Sequence, residues 1–538
     1  MPSVVVEITC WMDTTAPIAL PFSLPRPGAR RATGCRAQHA MVIARGASSP
    51  RVGRSRVLSG VTTQPLDLAI VGAGAAGTWL GDTVQRARPT WSVAMFERLD
   101  RVGGRLRSVH VDGVAHPIEL GGMRYRTGHR YVQAVVDEFE ISTRPFDVRD
   151  RPERSYLRGR IGRGPDDPDA GAGYHLEPEE RGRSAADLTA EVFGRVVPGF
   201  QALDDATWQR LRATATYRGR PLSNWSMEDA LSSVLSPEAH RFVTDAFGYD
   251  SGVRPHNVAD AIPYFAGTGG PTGEARVPIA GMDCLPTALA GRFRDHGGVL
   301  HLGTEVRRLA VDGESLVLEL GEGPIARASR VVLALPVSGL TALAATSPII
   351  DTAVHRSLYR AVEQIPATKL YVWYDRPWWR DAPRPLQGIR ATTDRPSRKL
   401  WYLDDETDEP AALLAAYTDG RETAPMVALA NGVSNGDPAP PPMLDAVLDD
   451  LALLHPDVGE MPRPLGSAFM HWGADPVETG WHFWRAGHNS DAVIKGAEQP
   501  DPAVAIYLAG EGFSRAQAWV EGAFETAAAV AGRLLAGD

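Results

Sequence analysis

Cysteine is nearly missing from this sequence. Only Cys10, Cys35 and Cys284 occur among 538 residues, and they lie far apart. That scarcity excludes a disulfide framework and a cysteine-based metal site, and it fits a reducing, cytoplasmic compartment. Long apolar runs are missing too. None approaches the roughly 18 residues that span a bilayer, so no membrane segment is expected. Positive charge is not in excess. Lys and Arg number 56 against 65 Asp and Glu, a formal net charge of -9, which argues against a nucleic-acid partner. No internal repeat is visible. What is present is ordinary for a soluble globular chain: 43% apolar and 22% charged residues. The length exceeds what one core supports, so two intertwined domains are expected.

The N-terminal residues 1–63 stand apart. The first 60 residues hold eight Arg, no Lys and two acids, interspersed with Pro, Ser and Gly. A secretory signal would begin basic and continue apolar. Here Val4, Val5 and Val6 come first and are soon interrupted by Glu7, Cys10 and Asp13. This segment reads as a disordered extension or a start assigned too early, with Met41 as the alternative start. An Arg-rich transit peptide is the remaining reading.

Order is expected from about residue 64. LDLAIV, residues 66–71, is a short apolar run that reads as a buried strand. GAGAAG follows at 72–77, then TWLGDTVQRA, a helix with Trp79, Leu80 and Val84 on one side. WSVAMFE, 91–97, is a second strand that ends in an acid. Strand, Gly72-x-Gly74-x-Ala76-Gly77, helix, strand and Glu97 make a complete βαβ unit. Gly72 permits the tight turn, Gly74 lets a pyrophosphate approach backbone, and Gly77 lets helix and strand pack closely. The helix start offers unpaired N–H groups to phosphates. Glu97 is placed to accept hydrogen bonds from ribose hydroxyls. A dinucleotide-binding Rossmann-type domain is therefore expected.

The middle region, about 130–270, carries helical patterns such as SAADLTAEVFGRVV and SPEAHRFVTDAFGY. The second opens on Ser236 and Pro237, an N-cap and first-turn pair. RASRVVLALP, 327–336, reads as one buried strand, and several strands follow over 363–420. NGDPAPPPM, 435–443, reads as a linker or surface loop. AIYLAG, from 505, is a strand that leads through a polar turn into a long Ala-rich helix ending near Leu535.

Three further stretches narrow the dinucleotide. Gly103, Gly104 and Arg105 follow soon after Glu97, and an Arg there can reach a phosphate. PIELGGMRYR, 117–126, joins the glycine pair Gly121 and Gly122 to Met123 and Arg124. YLAGEGFSRAQAWVEGAFE, from 507, ends in a helix start. Together these motifs resemble the flavoproteins of the amine oxidase superfamily, and Met-Arg after a glycine pair resembles its L-amino acid oxidases. The resemblance runs from about residue 66 to the C-terminus and is patchy in the helical region. Within the family, RKLWYL (398–403), AAYTDG (415–420) and the Lys369 segment with RPWW are most similar to the L-tryptophan oxidases of violacein biosynthesis.

The resemblance implies an α/β amine oxidase fold. A Rossmann-type (GR2) FAD-binding domain, 64–123, 273–345 and 498–538, would be interleaved with an α+β substrate-binding domain, 124–272 and 346–497, that includes the helical part. It implies non-covalent FAD and no metal. Glu511 would meet the ribityl or phosphate region, Gly510, Trp519, Val520 and Ala523 the flavin end, and Val306 the adenine. Gly121, Gly122, Met123 and Arg124 would lie beside the ring. A helix start at Ala523 suits the negative charge of a reduced flavin. Alternation puts Lys369, Tyr371 and Trp373 on one strand face, and in the family the lysine holds a water against flavin N5. Arg124 and Tyr417 would hold the substrate carboxylate, since a guanidinium grips a carboxylate through two parallel bonds. The bland alternative pairs Arg124 with Glu119. Ala518 stands where the family usually has Gly, and its carbonyl would receive the substrate amine. Trp472 and Trp519 would line the pocket, although the aromatic stretch 471–484 could equally be core.

The activity implied is FAD-dependent oxidative deamination of an L-amino acid, an aromatic one such as L-tryptophan being favoured. O2 would be reduced to H2O2 and the imino acid released or passed to a downstream enzyme of secondary metabolism. A homodimer is the common state of relatives. Three alternatives stay open: a monooxygenase giving oxidative decarboxylation to an amide, an amine oxidase acting on a substrate with no carboxylate, and a flavin-binding protein without chemistry.

Overall fold

The computed structural model describes residues 65–146, 154–266, 272–321, 323, 325–382, 390–403, 410–475 and 477–536. The N-terminal extension and its Cys10 and Cys35 lie outside the described residues.

The run read as the first strand is a strand over Leu68–Val71, and all four of its residues are buried. It has no polar face because both of its faces are covered, as expected for the centre of a parallel sheet. Leu68 and Ile70 point to one side, where the helices Ala75–Ala87, Cys284–Asp295 and Val520–Ala536 contribute Leu80, Phe293 and Ala527. Ala69 and Val71 point to the other, onto Leu309, Leu316 and Leu318 of a three-stranded antiparallel sheet. The central sheet has five parallel strands in the order Val299–His301, Val93–Phe96, Leu68–Val71, Val331–Leu333 and Ile506–Leu508. The stretch 327–336 is not one strand. It divides into Ile325–Ala328, in the antiparallel sheet, and Val331–Leu333, in the parallel one. Ser329 and Arg330 carry the chain from one layer to the other.

A second, seven-stranded sheet runs in the order Gly466–Trp472, Ala367–Tyr374, Ala411–Asp419, Lys399–Tyr402, Arg390–Thr393, Arg154–Leu157 and Arg160–Gly162. Its neighbours are antiparallel except the pair Arg390–Thr393 and Arg154–Leu157. Leu370, Val372 and Tyr374 cover one face with the helix Pro441–Leu454. Tyr371 and Trp373 turn the other way, towards Leu120 and Met123. The stretch 435–443 is not a linker. Gly436 N–H donates to Phe469 O at 2.7 Å, and Pro440 opens the helix that buries Met443.

The helical region gathers around Trp208, Phe242 and Ile262, all fully buried. Its helices carry their own start signals. Ser184 and Ser226 form capping boxes with Asp187 and Asp229, and Ser236 accepts from Ala239 N–H ahead of the Pro237–Phe247 helix.

Candidate active site

A cavity of about 490 Å³ is lined by residues of both sheets. One end lies against the turn after the first strand. Gly72 has φ +100, and a Cβ there would sit 2.6 Å from Ala334 O. A Cβ at Gly77 would sit 2.0 Å from Gly72 O, so helix and turn touch through bare backbone. Gly103 N–H donates to Ala73 O at 2.9 Å, which draws the second glycine pair onto the first. Gly72, Gly74, Ala76, Glu97, Gly104, Arg105 and Val306 line this end, whereas Gly77 serves packing behind it. The Glu97 carboxylate accepts from Ala73 N–H and Leu99 N–H, both at 2.8 Å. Those two bonds fix it at the strand end. The cradle fits a dinucleotide: added methyl groups at its glycines would meet backbone, and a buried carboxylate faces the space.

Beyond the cradle, Glu511 is the hub. It accepts from Arg105 Nη1 at 2.8 Å, His482 Nδ1 at 2.6 Å, His482 N–H at 3.1 Å and Ala518 N–H at 2.6 Å. Val337 N–H donates to His482 Nε2, so Nδ1 carries the ring proton. Burial by itself would raise the Glu511 carboxyl. The His482 ring, the Arg105 guanidinium and the Ala518 N–H outweigh burial and hold it down at about 2. Arg105 therefore reaches the cavity already paired with a carboxylate. Ala518 adopts φ +66, a left-handed conformation that L residues avoid. Gly510, Trp519, Val520 and Ala523 line the same wall. Glu521, one residue into the closing helix, accepts from Tyr131 N–H and Val132 N–H and so caps the Arg130–Glu138 helix.

Lys369 lies in the cavity wall, 3% exposed. Its Nζ donates to Glu119 O at 3.0 Å and Gly121 O at 2.5 Å, and it stands 5.1 Å from the Tyr417 ring centre. Burial pushes the ammonium below the usual lysine range, with Arg124 adding to the shift and Glu119 opposing it. Glu119 is itself raised by burial. Its carboxyl accepts from Met282 N–H and the Ser108 hydroxyl, both at 2.8 Å, so those bonds, rather than Arg124, occupy it. Gly121 needs to be glycine because a Cβ would fall 1.9 Å from Arg105 O.

Arg124 and Met123 do not line the cavity, contrary to expectation. Met123 is buried in the core beneath the sheet. Arg124 lies just behind the wall, its guanidinium 4.8 Å from the Trp401 ring, 5.4 Å from Phe146 and 5.8 Å from Trp519. It is close enough to Tyr417, Tyr249 and Tyr264 to pull the pKa of each hydroxyl down against the rise that burial causes. Tyr417, Trp472, Ala518 and Trp519 do line the cavity. Trp472 donates from Nε1 to Leu120 O at 2.8 Å, which fastens it to the glycine-pair strand. The sequence reading missed Tyr249 and Tyr264. Tyr249 meets Tyr417 edge-on at 5.4 Å, and the Tyr264 hydroxyl accepts from Trp519 Nε1 at 3.0 Å. Both come from the helical region, where no local motif marks them. Among the described residues no cluster could hold a metal ion, and no helix is long and apolar enough to cross a membrane.

Residues 83–535 match the family described as flavin containing amine oxidoreductase. Aplysianin-A of Aplysia kurodai is 27% identical over 510 residues, 87% of this chain and 90% of that protein. Achacin of Lissachatina fulica is 26% identical over 88% of this chain and 95% of that protein. An L-amino-acid oxidase of Gloydius blomhoffii is 24% identical over 86% of this chain and 87% of that protein. The solved structure of a putrescine oxidase double mutant has a similar fold, with a TM-score of 0.65 at 18% identity over 88% of this chain and 99% of that one.

Proposed function

Because the chain belongs to the flavin-containing amine oxidoreductase family, we propose that it is an FAD-dependent L-amino acid oxidase. The observation that carries this reading is Arg124, a guanidinium set among three aromatic faces just behind the cavity wall and near enough to Tyr417, which lines the cavity, to lower its hydroxyl pKa. In this reading Arg124 and Tyr417 take the substrate carboxylate, and the Ala518 carbonyl takes the amine. Trp472 and Trp519 wall the side chain, for which an aromatic group such as that of L-tryptophan is favoured. Held at its carboxylate and its amine, the substrate can turn only about the line joining them, and contact of its side chain with Trp472 and Trp519 would fix that turn.

FAD is the cofactor of this family, and here the two glycine turns, Glu97 and Val306 would hold its nucleotide half, while Gly121, Gly122, Val520 and Ala523 would flank its ring. The chemistry supplied by bound FAD is hydride acceptance from the substrate Cα and electron delivery to O2, which yields an imino acid, then a 2-oxo acid and ammonia, with H2O2. Lys369 keeps one N–H for the cavity after its two carbonyl bonds, and there it would hold a water. The closing helix, whose Val520 and Ala523 line the cavity, would offer its N-terminal N–H groups to the ring. No side-chain base is assigned, because the neutral amine needs none. The interleaved division into an FAD-binding and a substrate-binding domain, a cytoplasmic location, a homodimer and hand-over of the imino acid to a downstream enzyme belong to the same proposal.

The test is anaerobic. Holoenzyme is mixed with each of the twenty L-amino acids and the flavin absorbance is followed. Bleaching by one or a few, reversed by air with peroxide formed and without carbon dioxide, is expected. If none of them bleaches the flavin, the oxidase reading fails. Carbon dioxide and an amide in the product would make the enzyme a monooxygenase.

A further inference from the structure

Asp419 is fully buried two residues beyond Tyr417, at the end of the strand Ala411–Asp419. Side chains two apart on a strand share a face, so it lies on the side that Tyr417 turns to the cavity. Its two oxygens reach into the helical region. Oδ1 accepts from Asp250 N–H at 2.8 Å. Oδ2 accepts from Ser251 N–H at 3.1 Å and from the Ser251 hydroxyl. Asp250 and Ser251 open the short helix Asp250–Val253, and Tyr249 is the residue just before it.

The hold is returned. The Asp250 carboxylate accepts from Arg421 N–H at 2.8 Å, and Arg254 Nε also donates to it. Gly420, between Asp419 and Arg421, has φ +55, and a Cβ there would stand 2.4 Å from Asp250 Oδ2. The two segments therefore cap each other across bare backbone. A further tie grips the same helical stretch. Arg398, just before the strand Lys399–Tyr402, donates from Nη1 to Asp245 at 3.3 Å and from Nη2 to Thr244 O at 3.4 Å. Arg398 bridges to Tyr417, whose N–H donates to Ser397 O at 3.1 Å. Tyr249 thus lies between the ties at Asp245 and Ser251, and Tyr417 lies beside the residues that make them. Inside this frame the two rings meet edge-on at 5.4 Å.

A neutral cap such as Asn would serve an ordinary helix start as well as Asp does. Here three donors converge on one side chain. A carboxylate offers an acceptor oxygen on each side, whereas an amide would turn its N–H2 against a donor. Burial raises the Asp419 carboxyl to about 6, although the Ser251 and Asp250 bonds pull it down. The Tyr417 ring is packed by Tyr249, by Trp481 edge-on at 6.2 Å, and by the Lys369 ammonium. Of these, Tyr249 alone reaches it across the joint that Asp419 closes.

We propose that Asp419 is a positioning residue: by locking Tyr249 against Tyr417, it sets the Tyr417 hydroxyl where the substrate carboxylate arrives. The proposal rests on the L-amino acid oxidase reading, in which Tyr417 binds that carboxylate. Asp419 itself does not line the cavity and acts only through its neighbours.

Anaerobic flavin reduction by L-tryptophan, or by whichever L-amino acid bleaches the natural holoenzyme, is compared in Asp419→Asn, Tyr417→Phe and the double variant. Asp419→Asn should raise the half-saturation concentration about tenfold, as expected when a hydrogen bond to a charged group is misplaced, and leave the limiting rate within about threefold. Tyr417→Phe should raise it at least as much. In the double variant the second substitution should add less than about threefold, because both act through one hydroxyl. Effects that multiply would mean Asp419 serves the fold and not Tyr417, and would overturn the proposal. An unchanged half-saturation concentration in Asp419→Asn would overturn it too. Ser251→Ala removes one donor and keeps the charge. It should raise the value by about threefold in the natural background and leave it unchanged beside Tyr417→Phe, which keeps the test in force if Asp419→Asn does not fold. A natural holoenzyme that no amino acid reduces would reject the oxidase reading, and a silent Tyr417→Phe would reject its use of Tyr417. Either result is visible before Asp419 is altered, and the proposal falls with it.

Discussion

Arg124 is not matched to Glu119, the acid nearest it in sequence. Glu119 is turned to Met282 and Ser108, and the rings of Trp401, Phe146 and Trp519 lie beside the guanidinium. If Arg124 clamps a carboxylate, Arg124→Ala should weaken substrate binding by about 2–5 kcal/mol, much of it from a charged partner left unpaired. The half-saturation concentration should rise for amino acids and stay nearly unchanged for their amides, and steady-state kinetics on both would check it. Glu511 makes a prediction about acid. Its folded pKa of about 2 lies below the ordinary value of 4.5, so folding favours the charged form. That stabilisation is complete above the ordinary value and is lost as pH falls through the folded one. The gap in unfolding free energy between the natural protein and Glu511→Gln should be constant near neutrality and close between about pH 5 and pH 2. A gap that does not change with pH would mean the carboxylate is not held in this way.

At the scale of elements, two short turns bring backbone to the cavity. The glycine-pair strand passes so close to Arg105 that Gly121→Ala should destabilise the fold by about 1–3 kcal/mol and reduce bound flavin, read from denaturant midpoints and the absorbance ratio of flavin to protein. The turn before the closing helix is strained at Ala518, whose N–H is pinned by Glu511. Ala518→Gly should stabilise the protein by about 1 kcal/mol in the same denaturation experiment. Much at this scale was legible. The glycine spacing, the Ser236 cap and the alternation of Lys369, Tyr371 and Trp373 are local signals, and the elements they mark are present. The stretch 327–336 was read as one strand because apolar continuity hides a change of layer. The stretch 435–443 was read as a loop because its prolines look like breakers, although Pro440 and Pro441 sit where a helix start tolerates them.

For the whole molecule, the cavity is assembled from segments hundreds of residues apart, with Gly72 at one end and Tyr417 near the other. A cavity of this kind leaves both sheets short of contacts until it is filled. Removing FAD should therefore lower the melting temperature, and adding it back should restore it. At a hundredfold excess over Kd the gain is about 2.7 kcal/mol. Identical melting curves with and without FAD would mean the cradle does not couple cofactor binding to folding.

The sequence alone determined the dinucleotide cradle, the five-stranded parallel sheet's first βαβ unit and the kinship with flavin amine oxidases. Each rests on residues close together along the chain, whose spacing carries its own geometry. The tertiary structure decided that Arg124 stands behind the cavity wall rather than in it, that Glu511 ties Arg105, His482 and Ala518 into one hub, and that Tyr249 and Tyr264 pack against Tyr417 and Trp519 of the cavity wall. Those contacts join segments far apart in sequence, and their distances are set by how the two sheets and the helical region pack, which no local pattern encodes.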